Sequence, residues 1–419
     1  MATEARWIAD DPTGDPEPQA LADGPLQGLR VIEFGQLIGG PYAGMLLADF
    51  GADVIKVEPP PHGDALREWG RRRHNSHSLW WSLMARNKRS VSLNLRTPEC
   101  RARALELCAE ADVVLENFRP GTMERWGLGP ADVHAVNPRC VYARVSGYGQ
   151  TGRYRDRAGF ASAGEAIAGL RYINGYPGEA PPRPGISLGD TLAAQSAFQG
   201  ILLALYARDA RGASGQVVDA SIADACFAML ESAVAEYELT GEVREPSGSI
   251  LPRVAPSNVY RSKDGKWVVI AANHDTLWRR LAALMGRPEL ADDARFATHV
   301  ARGDHQAQLD EMIGAWAAGY TAAELDRIVN DAGVVCAPVN SVAEIAADPF
   351  FHERGLLVEV DDEVHGPMHV TGVVPKLSAT PGRVRRPARW TVGADTDDVL
   401  GDLRAEVEEL DLRSSEGVV

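Results

Sequence analysis

Short apolar runs alternate with longer amphipathic stretches through the first 150 residues of this chain. LRVIEF (29–34), DVIKVE (53–58), SVSLNL (90–95), DVVLENF (112–118) and RCVYARVSGYG (139–149) read as strands. GGPYAGMLLADFGA (39–52) and TPECRARALELCAEA (97–111), which stand between them, read as helices. Strands separated by helices of this length predict an α/β fold with a Rossmann-like, parallel, doubly wound sheet. A long Ala/Leu-rich helix is expected over 191–207, just after Gly189-Asp190, and 215–237 reads as a strand running into a second long helix.

The pattern then changes. TGEVREPSGSILPRVAPS (240–257) is rich in Gly, Pro and Ser and reads as a linker. Residues 258–273 predict a hairpin with Asp264-Gly265 at its turn, and helices follow over 275–285 and 305–320. The last part carries two strand-like stretches, LLVEVDD and GPMHVTGVV, and an acidic terminal helix. The expected organisation is an acidic N-terminal extension (1–25), a large domain (26–240), a linker (241–257), a smaller α+β domain (258–336), a second linker (337–349) and a segment (350–419) returning to the large domain.

Composition narrows the function classes. The chain has 419 residues, 45% hydrophobic and 24% charged, which is ordinary for a globular protein of two or three domains. The longest apolar run, 201–206, falls far short of the roughly 20 residues a membrane span needs. MATEARWIADDPTGDPEP at the start has neither the basic nor the apolar region of a secretory signal. The net charge of −15 argues against general nucleic-acid binding, which needs a basic face. The five cysteines (Cys100, Cys108, Cys140, Cys226, Cys336) show no metal-ligand spacing, so reduced thiols, a cytoplasmic setting and no structural zinc are expected.

Few motifs carry chemistry on their own. The GQLIGGP turn (35–41) after the first strand does not fit GxGxxG, and GxxxxGK[ST], GxSxG and HExxH are absent from the sequence. Asp190 admits two readings. It can cap the helix that follows it. It can equally use that helix's positive end to stay ionised and act as a nucleophile. Lys88, Arg89, Arg96 and Arg125 lie near expected strand ends or loops, either as solvated charges or as phosphate partners.

A series of motifs goes further. LQGLRVIEFGQLIGGPYAGMLLADFGADVIKVEPP, NKRSVSLNLRTPE, ADVVLENFRPGTMERWGL, RVSGYGQTGRYRDRAGF, RPGISLGDTLAAQSAFQGILLALYAR, GQVVDASIADA and GVVCAPVNSVAEIAADP occur in this order. Over about 26–400 the chain closely resembles the class III CoA-transferases, the CaiB/BaiF family that includes formyl-CoA transferase. The resemblance implies that Asp190 is a covalent nucleophile working through a mixed anhydride and an aspartyl-CoA thioester. It assigns coenzyme A contacts to Leu37, Ile38, Gly39, Leu93, Arg96, Asn117, Arg125, Trp126 and Tyr148, with Arg96 and Arg125 on phosphates. It also implies an interlocked, ring-like homodimer, and coenzyme A as substrate without a metal.

Three departures bear on the substrate. Ile38, Pro59 and Ser146 stand where formyl-CoA transferases carry glutamine, arginine and lysine, and no GGGG run is present. The racemases of the family place a histidine where Phe160 stands, which makes α-methylacyl-CoA racemisation the weaker alternative; a CoA-binding protein without activity is a second one. The stretches 164–171 and 247–260 resemble family members that use succinyl-CoA and a C4–C6 dicarboxylate. On that likeness Glu165 and Arg253 are candidate substrate contacts, with Arg253 facing the distal carboxylate and Arg171 and Arg86 as weaker candidates for that task.

Overall fold

The computed structural model describes residues 23–70 and 73–401. Most of the expected N-terminal extension, and the expected acidic terminal helix beyond residue 401, lie outside the described residues. Two compact units are present. One contains residues up to Leu170, Pro184–Glu231 and the chain from Pro349 onward; the other contains Arg171–Arg183 and Ser232–Asp348.

The first unit is built on a six-stranded sheet: β1 (Arg30–Glu33), β2 (Asp53–Glu58), β3 (Lys88–Ser92), β4 (Val113–Glu116), β5 (Val141–Ser146) and β6 (Val217–Ser221). Their order is β3-β2-β1-β4-β5-β6, and every neighbouring pair is parallel. The mixed α/β fold with a parallel central sheet is thus as the alternation predicts. Successive side chains of a strand face opposite ways. Val31, Val54, Val113, Val141 and Ala143 pack on one face, while Ile32, Ile55, Val114 and Tyr142 pack on the other.

Helices cover both faces. α1 (Gly39–Asp49) contributes Ala43 and Leu47 to the first face. α2 (Pro98–Ala109) contributes Cys100, Ala104 and Cys108 to the second. It starts cleanly because Thr97 accepts from the Cys100 N–H and proline fills the first turn. After the short α3 (Ala161–Ile167) comes α4 (Leu188–Arg211), whose Ala193, Ala194, Ala197 and Ala204 let a 24-residue helix lie close on the first face.

Two local expectations are corrected. Asp190 is not the cap of its helix: α4 begins at Leu188, Ser187 flanks it, and Asp190 is the third helical residue. The helix expected to run to residue 237 is broken. α5 (Ile222–Phe227) ends early, Glu231 takes φ 51°, and α6 (Ala233–Thr240) belongs to the second unit. A non-glycine residue in left-handed conformation cannot continue a right-handed helix.

The second unit has an antiparallel sheet of β7 (Ser257–Arg261), β8 (Trp267–Ala271) and β9 (Val335–Pro338), with β8 central. α7 (Asp275–Leu284), α8 (Gln306–Ala317) and α9 (Ala322–Asp331) bury Trp278, Leu281, Ile313, Leu325 and Val329 against it. The returning C-terminal segment forms the hairpin β10 (Leu357–Asp362) and β11 (Gly366–Thr371).

Candidate active site

The strand order reverses between β1 and β4. In open parallel sheets the crevice beyond the carboxyl ends of the strands at such a point is where ligands bind. Gln36 follows β1 and Asn117 follows β4. Asn117 Oδ1 accepts from the Gln36 N–H (2.7 Å), and its Nδ2 donates to the Gln36 carbonyl (2.8 Å). This approach requires glycine nearby, since a side chain on Gly35 or Gly40 would press on the Asn117 amide at 2.9 or 3.2 Å.

The loop between Gly35 and Pro41 is held from beneath by buried charges. Lys56 donates to the Gly35 carbonyl (2.7 Å) and to Glu33 (2.9 Å), and pairs with Asp64 (2.8 Å). Lys88 donates to the other Glu33 oxygen and to the Pro41 carbonyl, both at 2.7 Å. Asp64 accepts the Leu37 N–H at 3.0 Å, fixing a leucine with φ 64°. Burial pushes the Glu33 carboxyl up, but the two ammonium groups outweigh it and hold it below the ordinary value. Lys88 is therefore neither a surface charge nor a phosphate partner. Arg86 is likewise corrected: its guanidinium is buried and committed to Asp49 (2.6 Å) and the Thr371 carbonyl (2.6 Å), which removes it as a substrate contact.

Above this loop lies a cavity of about 300 Å³ lined by Leu37, Ile38, Gly39, Asn117, Phe160 and Asp190, with Trp69, Arg119, Arg155 and Arg157 at its wall. Among the described residues of the lining, Asp190 is the sole carboxylate and none is a histidine, cysteine or lysine. The cavity thus combines one carboxylate residue, three arginines and the amino end of α1, an arrangement suited to an anionic ligand. A second cavity of about 290 Å³ is lined by Leu93, Arg96, Phe118 and Trp126; Gln36 and Phe118 belong to both linings. The Trp126 and Phe118 rings meet edge to face at 5.2 Å.

Not every candidate residue reaches a lining. Arg125 is exposed and donates to Thr122 Oγ1 (3.0 Å). Tyr148 packs on Gly159 and Tyr154. Glu165 is buried on α3, outside both linings, and accepts the Gly189 N–H at the start of α4 (3.0 Å). Arg253 belongs to the second unit, at φ 66°, where its exposed guanidinium pairs with Asp304 (3.2 Å). Trp69, Arg119, Arg155 and Arg157 are lining residues that the sequence pattern does not single out individually. The last three stand inside motifs already singled out, so their signal was present; Trp69 has none.

A model of CoA-transferase family III matches residues 26–396. The chain belongs to this family, and the protein is a CoA-transferase. Among its relatives, the succinyl-CoA–D-citramalate CoA-transferase of Chloroflexus aurantiacus is 50% identical over 388 residues, covering 92% of this chain and 95% of the relative. The succinyl-CoA–L-malate CoA-transferase β subunit of the same organism is 41% identical, covering 93% and 97%. The crystal structure of a CaiB/BaiF family protein from Brucella suis superposes with a TM-score of 0.78 at 31% identity, covering 92% of this chain and all of that one.

Proposed function

We propose that this enzyme moves coenzyme A from succinyl-CoA to a C4–C6 dicarboxylic acid, with Asp190 as the covalent nucleophile. The observation that carries the mechanism is the cavity in which Asp190 is the one carboxylate among the described residues. The substrate class is supported by relatives whose names specify succinyl-CoA with citramalate or malate.

Each step balances without water or a net proton. The Asp190 carboxylate attacks the succinyl thioester carbonyl; a C–O bond forms, the C–S bond breaks and CoA thiolate leaves. The thiolate attacks the Asp190 carbonyl of the resulting anhydride, releasing succinate and leaving an aspartyl-CoA thioester. The acceptor carboxylate attacks that thioester, giving a second anhydride and CoA thiolate. The thiolate then takes the acceptor's acyl group and frees Asp190. Acyl energy is kept throughout, provided water is excluded.

Arg119, Arg155 and Arg157 are the cations of this reading for anionic groups of donor and acceptor. Arg96, which reaches the second cavity, is the phosphate partner. Phe160 has no proton to exchange, which weighs against racemisation. The exposed apolar side chains Leu203, Tyr206, Tyr237 and Leu239 support assembly as a homodimer. The free, buried cysteines fit a reducing, cytoplasmic setting. Among the described residues no helix is long and apolar enough to cross a membrane, and no group of three or more metal-ligating side chains occurs.

A matrix of acyl-CoA donors against carboxylic acids, read by mass spectrometry, tests the assignment. Succinyl-CoA with citramalate or malate is expected to give the acceptor thioester at a catalytic rate. Turnover confined to monoacyl-CoA and monocarboxylates would contradict the substrate class.

A further inference from the structure

Glu165, on α3, is 1% exposed. Its Oε1 accepts the backbone N–H of Gly189 at 3.0 Å, and its Oε2 has no hydrogen-bond partner. None of the ion pairs among the described residues involves it. An ionisable carboxyl group buried without a cation is costly to keep. The single bond it makes goes to the residue just before the nucleophile.

That bond has a clear geometric consequence. The first N–H groups of a helix lack intrahelical acceptors, and a side chain at the flanking position usually supplies one. Ser187, which flanks α4, makes no such bond. Glu165 does so from another helix and thereby ties the first turn of α4 to α3. Packing reinforces the tie: a side chain on Gly189 would meet Ile222 Cγ2 at 2.9 Å and Glu165 Cγ at 3.2 Å, and one on Gly164 would collide with the same Ile222. Burial, and then the charges of Glu165 and Asp190, push the Cys226 thiol up to about 11.

We infer that Glu165 is a positioning residue for the nucleophile: by accepting the Gly189 N–H it fixes the Leu188-Gly189 peptide and with it the first turn of α4, so that the Asp190 carboxylate meets the thioester carbonyl in one orientation. This rests on the reading of Asp190 as nucleophile. A misplaced nucleophile loses rate rather than substrate affinity.

The test compares Glu165→Gln, which keeps an oxygen acceptor, with Glu165→Ala, which has none. Glu165→Met, of similar length and also without an acceptor, replaces the alanine variant if that does not fold. The alanine or methionine variant is expected to lose about 10- to 100-fold in kcat with KM for acyl-CoA within about two-fold of wild type. Formation of the covalent adduct at residue 190 should slow in parallel. The glutamine variant should stay within about five-fold of wild type in kcat. Unchanged kcat without the acceptor, equal losses in both kinds of variant, or a rise in KM alone would overturn the inference. Asp190→Asn, assayed alongside, separates the two readings: if it remains active, the nucleophile assignment fails, whatever the Glu165 variants do.

Discussion

Asn117 holds the backbone of Gln36 at both of its polar groups, accepting from the N–H at 2.7 Å and donating to the carbonyl at 2.8 Å. The two residues are 81 positions apart, at the ends of the adjacent strands β1 and β4. Their paired bonds set the mouth of the crevice. Replacing Asn117 by Asp removes the donor and places a charge against a carbonyl oxygen. We expect Asn117→Asp to raise KM for acyl-CoA by about ten-fold or more, with a smaller change in thermal midpoint than a core truncation gives. Steady-state kinetics with a melting curve check this; unchanged KM would remove Asn117 from the binding loop.

Glu33 neutralises Lys56 and Lys88 in a region without solvent. Glu33→Gln leaves two buried ammonium groups with one charge too few. Removing one partner of a buried pair costs about 3–5 kcal/mol, so this variant should unfold at clearly lower denaturant. Because the Glu33 carboxyl is held below its ordinary value, its contribution is present above the unfolded pKa. It is lost as pH falls through the folded one, so the gap between wild type and variant should narrow in acid. Urea titrations at neutral and acid pH measure both effects.

All five cysteines are buried, and burial raises Cys226 and Cys336 to about 11 and Cys140 to about 12. The native protein at pH 8 should therefore be nearly silent to a thiol reagent such as Ellman's, and should titrate fully in guanidinium. Rapid reaction of the native protein would contradict the burial described.

Phe160 lines the Asp190 cavity and offers no base. In heavy water a 2-methylacyl-CoA should therefore take up no deuterium at its α-carbon at a rate comparable to transfer. Exchange at a catalytic rate would favour racemisation. The proton signal of that carbon, followed by NMR, gives the answer.

The sheet was readable because its signal is local. Val31 and Ile32, Val54 and Ile55, and Val113 and Val114 are apolar runs buried on both faces, and such runs declare parallel strands without any knowledge of pairing. The switch point was not readable, since strand order depends on crossovers that no local pattern encodes. Lys88 shows the same limit: in sequence it is one charge beside Arg89, and only the approach of Glu33 from another strand reveals it as buried. The break after Phe227 is hidden because the apolar spacing continues across Met229 and Leu230; α5 ends at Phe227, and the left-handed Glu231 keeps it from joining α6. Asp190 stood out because Gly-Asp opens a long helix, yet its exact place in the first turn required the backbone.

In the proposed mechanism Asp190 carries the acyl group and then coenzyme A. The most direct measurement is to incubate the enzyme with succinyl-CoA, quench with hydroxylamine or borohydride, and map the modified peptide by mass. A hydroxamate or reduced side chain is expected at residue 190 in wild type and none in Asp190→Ala, with a loss of at least about a thousand-fold in turnover in that variant. An unmodified Asp190 during steady turnover, or transferase activity retained by the alanine variant, would contradict this mechanism.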